Sequence, residues 1–289
     1  MRDPGMLGKA QEGAADLHSA GNVPIALLGA FAVLFGLAFG SFLNVCISRL
    51  PRHESVARPR SRCPRCGMAI RSLDNIPLLS WVLLRGRCRN CRWRIPWRYP
   101  AVESTTAALF LLCLLQFGPT LTGFGMAILC FLLLGLAAMD AETMRLPDAF
   151  TLPGILLGIA YHAALPSRPG LGHLWAAGVA LASAVGAALV VLAVRWGYYL
   201  LRGIEGMGIG DAKLLAMIAA WLGPALTFLT LFWGVLAAAI FGIASVASSR
   251  GRRKISSTRL PFGSFLCAAA LYAIFAGQGT VGWYMQFYR

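Results

Sequence analysis

Phe124-Gly-Met-Ala-Ile-Leu-Cys-Phe-Leu-Leu-Leu-Gly-Leu-Ala-Ala-Met139-Asp140-Ala-Glu-Thr-Met-Arg-Leu-Pro-Asp148 is the stretch that decides the class of structure. Residues 123–139 are apolar without interruption and amount to about 25 Å of helix at ~1.5 Å per residue, close to the ~30 Å hydrocarbon layer of a bilayer. In hydrocarbon every backbone N–H and C=O must be satisfied within the segment, so the run reads as a helix. It ends on an aspartate, a residue costly enough at a bilayer edge to suggest function. Working outward, comparable runs occupy residues 24–45, 101–117, 150–165, 172–194, 212–222, 225–247 and 262–285. The composition agrees, with 58% hydrophobic and 13% charged residues and a mean hydropathy of +0.67. The expected fold is an all-α polytopic membrane protein of about eight transmembrane helices, the sixth being short.

The first run follows a polar tail, residues 1–22, and is too long for the apolar core of a cleavable signal, so residues 23–45 are expected to stay as an anchor. Residues 46–100 form a small polar insertion, and residues 101–289 a helical bundle. The formal net charge is +15. With the first helix running inward, 22 of the 26 Lys and Arg fall on the cytoplasmic side, thirteen of them in the insertion. These cations set topology and contact anionic lipid. No aromatic-interleaved basic domain stands apart from the membrane, so nucleic acid is not expected as a partner.

Cys46, Cys113, Cys130 and Cys267 sit singly in or beside apolar runs, where a thiol behaves as a small hydrophobe. Cys63-Pro-Arg-Cys66 and Cys88-Arg-Asn-Cys91 differ: two C-x-x-C pairs on polar, turn-like stretches match a tetrahedral four-thiolate site. Zinc fits such a set best, with iron the competing metal. A reducing cytoplasmic face disfavours disulfides, and neither pair opens a βαβ unit as a thioredoxin-type motif would. A segment this short cannot bury a self-sufficient core, so the expected insertion is zinc-stapled.

Asp and Glu number only 11. Asp140 ends one apolar run, and Asp211 follows Gly206-Met-Gly-Ile-Gly210 and begins another too short to cross. The alternating topology brings both to the same face at similar depth. Two carboxylates in a low-dielectric pocket tend to share one proton, so that one serves as acid and the other as base toward a water attacking a peptide carbonyl. The plainer reading has Asp140 cap a helix end or pair with Arg145, and Asp211 serve as an N-terminal acid favoured by the helix dipole. Asp148 reads as an N-cap, Glu103 as a dipole partner, Glu142 and Glu205 as loop solvation or a negative rim for a basic peptide. Lys213 reads as a neighbour of Asp211 or a snorkelling cation. His53 and His162 lack partners at ligand spacing.

Several phrases taken together resemble a known family. They are Gly40-Ser-Phe-Leu-Asn-Val-Cys-Ile-Ser-Arg-Leu-Pro51, the paired C-x-x-C motifs enclosing Asp74-Asn-Ile-Pro-Leu-Leu-Ser-Trp81 and Leu84-Arg-Gly-Arg-Cys88, Asp140-x-Glu-x-x-x-Leu-Pro-Asp148 and Gly206-Met-Gly-Ile-Gly-Asp-Ala-Lys-Leu-Leu-Ala216. In this order, over about residues 36–216, with Pro261-Phe-Gly263 adding a weaker match, the chain resembles the bifunctional type IV prepilin peptidases. The resemblance implies a GxGD-type aspartyl peptidase of the bacterial inner membrane. It would remove the basic leader of prepilins and type II secretion pseudopilins at the cytoplasmic side, with Asp140 and Asp211 as the catalytic pair. It also implies methylation of the new N-terminal amine with S-adenosylmethionine. No glycine-rich dinucleotide signature marks a methyl-donor site, and Asp74, Asn75 and Gly86 are the candidates. A peptidase with a purely structural zinc module, a proton-coupled transporter and a zinc-built membrane adaptor are the alternatives; a transporter would more often show internal repeats.

Overall fold

The computed structural model describes residues 24–165, 172–203, 208–248 and 260–287. The polar tail, Glu205 to Met207 and the basic stretch at 250–259 lie outside the described residues. Among the described residues eight α-helices follow in order: α1 (Ile25–Arg49), α2 (Leu79–Leu83), α3 (Arg98–Phe117), α4 (Leu121–Thr143), α5 (Asp148–Ala164), α6 (His173–Arg202), α7 (Ile209–Ser248) and α8 (Phe262–Gln286). No strand forms among the described residues, which fits the expected all-α class. Six stretches among the described residues are long and apolar enough to cross a membrane: Ile25–Arg52, Arg98–Phe117, Leu121–Thr143, His173–Arg202, Ile209–Ser245 and Phe262–Gln286.

The two expected runs, 212–222 and 225–247, lie on two helical segments of α7 that meet at a sharp break at Gly223 (φ 74, ψ 178), followed by Pro224, which has no N–H to give. The ring of His162 meets the Trp221 carbonyl at 3.0 Å beside this break. A carbonyl only accepts, so Nε2 carries the proton. α6 also runs to Arg202, eight residues beyond the expected end at 194. Its last turns leave the apolar stretch without leaving the helix.

The chain packs as two units, Met1–Phe131 and Leu132–Arg289, and the division falls within α4. In the first unit α1 lies on α3. Lipid supplies no hydrophobic force between helices, so close packing of small residues must hold them. A Cβ on Gly36 would stand 2.5 Å from Ala107 Cα, and one on Gly40 2.7 Å from Glu103 Cα. The seam continues in polar bonds, Asn44 Nδ2 donating to the Tyr99 carbonyl at 3.0 Å and Arg98 Nη2 to Ser48 Oγ at 2.9 Å.

In the second unit the first half of α7 is central, with Leu214, Leu215, Met217, Ile218 and Ala220 essentially without exposure. α5, α6 and α8 pack around it. Alanines set the spacing: Ala184 of α6 meets Ala216 and Ala220 of α7, flanked by Ile155 and Ile159 of α5. Trp221 Nε1 donates to the Gly154 carbonyl at 2.8 Å, satisfying an indole N–H inside the bundle. The side chains left exposed on the other faces, Leu174, Leu189, Phe228 and Ile243 among them, are apolar, as a lipid solvent requires.

Candidate functional site

Asp140 stands one turn before the end of α4. The helix stops because Met144 adopts a left-handed conformation (φ 52) while its N–H still reaches the Asp140 carbonyl at 2.8 Å, an αL-type ending. The Asp140 side chain is buried, at 5% exposure. Burying a carboxylate is costly unless donors replace water. The first turn of α8 supplies them: Ser264 N–H donates to Oδ2 at 2.7 Å, and Ser264 Oγ lies 3.1 Å from the same oxygen. The N–H groups of a first helical turn have no intrahelical partner and sit at the positive end of the dipole, which suits an anion. Gly263 belongs to the arrangement, since a Cβ there would lie 3.1 Å from Asp140 Oδ2.

Asp211 lies in the first turn of α7, half-buried, and its Oδ2 accepts the Gly208 N–H at 3.2 Å. This is the backward reach of a third-position carboxylate to the cap residue. The plainer sequence reading, an acid at a helix start, therefore describes where Asp211 sits. Asp140 and Asp211 are close enough to interact electrostatically. The structure thus brings the two aspartates together at the N-termini of two helices. The Leu146 side chain lies between those helices, where Cβ atoms on Gly210 and Gly263 would approach it to 3.2 and 3.1 Å. Gly210 is small to admit Leu146, a reason the sequence did not reveal.

The neighbouring charges sort themselves. Lys213 Nζ bonds to Asp148 Oδ1 at 2.6 Å, joining the start of α7 to the start of α5. Asp148 therefore pairs with a cation, and the α5 cap is Pro147, without a side-chain capping bond. Glu142 is exposed at the end of α4. Ser264 went unnoticed in the sequence. Its one signal was position: it is the third residue after Pro261, where a helix start exposes N–H groups.

The four cysteines of the insertion converge, their sulfurs all within 4.8 Å of one another. Two loops of one design present them. Cys63 N–H bonds to the Met68 carbonyl at 2.9 Å and Gly67 N–H to the Cys63 carbonyl at 2.9 Å; Cys88 to Trp93 and Arg92 to Cys88 repeat both bonds at 2.8 and 3.0 Å. Gly67 (φ 69) and Arg92 (φ 58) take the same left-handed turn. Cys63 Sγ and Cys91 Sγ are 3.8 Å apart. That matches the edge, about 3.8 Å, of a tetrahedron of thiolates ~2.3 Å from a central ion.

The thiols are not equivalent. The Met68 backbone N–H, helped by Asn90 and the neighbouring thiols, pulls Cys66 down to about 7. Backbone N–H groups of Cys91 and Asn90 lower Cys88. At Cys91 the Trp93 N–H pulls down, but desolvation and the three other thiols prevail and push it to about 11. Four thiolates this close repel, and a divalent cation at their centre removes the repulsion. The donor set fits a metal ion.

Of the other insertion residues, Asp74 is gripped by Arg89, with Nη2 at 2.6 Å from Oδ1 and Nε at 2.9 Å from Oδ2. The bond to Arg89 holds the Asp74 carboxyl below its usual range. Gly86 takes φ 64, and a Cβ there would meet the Trp81 ring at 3.0 Å. Asn75 is exposed. Glu103, expected as a dipole partner, is buried in α3 and accepts the Leu78 N–H at 2.8 Å.

Fold and site together define a multi-pass membrane protein with a pair of aspartates at two helix starts and a cluster of four cysteines. Residues 34–117 match the model of the Bacterial Peptidase A24 N-terminal domain, and residues 127–243 that of the Type IV leader peptidase family. The chain is 38% identical to the prepilin leader peptidase/N-methyltransferase of Burkholderia pseudomallei (strain 1026b), over 88% of this chain and 87% of that one. It is 36% identical to the protein of the same name from Aeromonas salmonicida (strain A449) and 37% to that from Pseudomonas aeruginosa, each over 88% of this chain and 92% of the relative. No solved structure matches significantly. The chain belongs to the type IV leader peptidase family.

Proposed function

We propose that this protein cleaves the leader peptide from type IV prepilins and type II secretion pseudopilins at the cytoplasmic face of the inner membrane, and then methylates the amine so exposed. The observation that carries the reading is the pairing of Asp140 and Asp211 on different helices, within electrostatic reach and each held by N–H groups of a helix start. Such a pair holds one proton between two carboxylates. The ionised aspartate takes a proton from water as the water oxygen attacks the scissile carbonyl, and the protonated one gives its proton to the carbonyl oxygen. When the tetrahedral intermediate collapses, the C–N bond breaks, the leaving amine takes a proton, and the dyad returns to its singly protonated state. Ser264 keeps Asp140 oriented throughout.

Zinc is the metal we assign to Cys63, Cys66, Cys88 and Cys91, where it would staple the insertion, as thiolate sets of this spacing hold it. S-adenosylmethionine, when bound, supplies the methyl group to the N-terminal amine. The insertion fits such a donor at Trp81, whose Nε1 is buried without a hydrogen-bond partner beside Gly86. Asn75, Asp74 and the backbone at Gly86 frame the same segment. The names of the relatives support both activities.

Purified protein incubated with a prepilin-like peptide tests the reading by mass spectrometry. Wild type should release the leader, and with S-adenosylmethionine present the product should gain one methyl group. Cleavage that persists in Asp140→Asn or Asp211→Asn would refute the dyad, and cleavage never followed by methylation would leave a peptidase alone.

A further inference from the structure

We propose that Glu103 is a positioning residue for methyl transfer, a buried latch by which α3 sets the conformation of the Asp74–Gly86 segment. The proposal rests on the methyl-transfer reading above. Glu103 is 7% exposed, deep in the seam between α1 and α3. A carboxylate in such a place must be held by donors. One donor is the Ser41 side chain of α1. The other is the Leu78 backbone N–H, 2.8 Å from Oε2 and twenty-five residues away in sequence.

Leu78 is where a latch is needed. Its backbone sits at φ 57, ψ −50, outside the regions that a residue with a side chain favours. Strained residues persist only where surrounding structure imposes them, and they concentrate at functional sites. Leu78 is also the cap of α2, and its carbonyl accepts the Val82 N–H at 3.0 Å. α2 carries Trp81, whose carbonyl takes the Gly86 N–H at 2.8 Å and whose ring lies against Gly86 and edge-on to Trp97, centroids 5.8 Å apart. Glu103, Leu78, Trp81 and Gly86 therefore form one chain of contacts from the α1–α3 seam to the segment that holds the methyl-donor candidates. The missing Cβ of Gly40 fixes how closely α3 approaches α1, and so where the carboxylate lies. None of these contacts touches Asp140, Asp211 or the four sulfurs.

The latch needs an acceptor at position 103, not a charge, and this separates it from a general base. Glu103→Gln keeps an oxygen for Leu78 N–H and should retain methylation of a pre-cleaved peptide within about threefold. Glu103→Ala frees Leu78 and should lower kcat for methylation by about tenfold or more, as loss of positioning does. Bound metal by elemental analysis and leader cleavage should stay at wild-type levels in both. Hydrogen–deuterium exchange of the full-length protein reads the latch without the cofactor: residues 74–86 should exchange faster in Glu103→Ala and as in wild type in Glu103→Gln. An alanine variant with unchanged exchange overturns the latch whatever the methylation shows. Faster exchange with full methylation, equal loss in both variants, or parallel loss of metal and cleavage overturns the positioning role. A wild type that exchanges as expected yet never methylates refutes the methyl-transfer reading and, with it, the role assigned here.

Discussion

Replacing Ser264 by alanine removes the hydroxyl donor on Asp140 and leaves the backbone donors in place. A hydrogen bond to a charged group contributes about 1.5–3 kcal/mol. The Ser264 hydroxyl has a single proton and two acceptors in reach, Asp140 Oδ2 at 3.1 Å and the Ala137 carbonyl at 2.9 Å. Dividing the bond between them leaves about 0.8–1.5 kcal/mol on the carboxylate. At ~1.36 kcal/mol per decade, cleavage should slow by up to about tenfold. The backbone N–H of residue 264, at 2.7 Å, survives the substitution, so activity should fall without vanishing. The loss should appear in kcat with little change in KM, because Ser264 bonds to a reacting group rather than to the peptide. Timed mass spectrometry at several peptide concentrations measures both constants, and Ser264→Thr, which keeps the hydroxyl, should recover most of the rate. Wild-type kcat in Ser264→Ala would show that the hydroxyl does not serve Asp140 in the working enzyme. A loss as deep as that of Asp140→Asn would also refute the reasoning, since the retained N–H would then count for nothing.

Other outcomes follow from the same geometry. Asp140→Asn and Asp211→Asn should each reduce cleavage to background while the protein still inserts in membranes, checked by peptide assay and fractionation, because the amide is close in shape and lacks the proton chemistry. Serine at Cys63, Cys66, Cys88 or Cys91 should lower bound metal and loosen the insertion, read by elemental analysis and by protease sensitivity between residues 46 and 100. Asp74 has an acid signature. Arg89 holds its carboxyl below the ordinary value of 3.8, so the pair contributes in full above that value and its contribution drains away as pH falls through the lower folded value. Asp74→Asn should therefore weaken the insertion at neutral pH and match wild type in strong acid, followed by tryptophan fluorescence against pH.

The helices were legible because hydropathy reports the solvent, and for most of this chain the solvent is lipid. The same signal misplaced what solvent does not govern. α6 continues past Val194 to Arg202 because a helix already formed propagates into water at little cost. The break between the runs 212–222 and 225–247 was legible, because Gly223 leaves the helical region (φ 74, ψ 178) and Pro224 follows it. The convergence of the four cysteines and the approach of Asp140 to Asp211 were legible because residue type and local spacing point to them. Ser264, Glu103 and the Lys213–Asp148 pair were not. Each finds its partner 25 to 124 residues away, through packing that no local pattern encodes.

Leu146 lies against positions 210 and 263, where a Cβ would press on it at 3.2 and 3.1 Å and displace it by a few tenths of an ångström. The gap between the starts of α7 and α8 is thus gauged by one aliphatic side chain, and the carboxylates inherit their separation from it. Positions 146, 210 and 263 then form a single hereditary unit. A methyl group at 210 would fit more easily where residue 146 had already shrunk, and a smaller residue at 146 would loosen the gauge until position 210 gained a methyl group. Such coupling makes single substitutions poor guides to this site. A paired exchange, Leu146→Ala with Gly210→Ala, is where a viable variant with altered carboxylate spacing would be found.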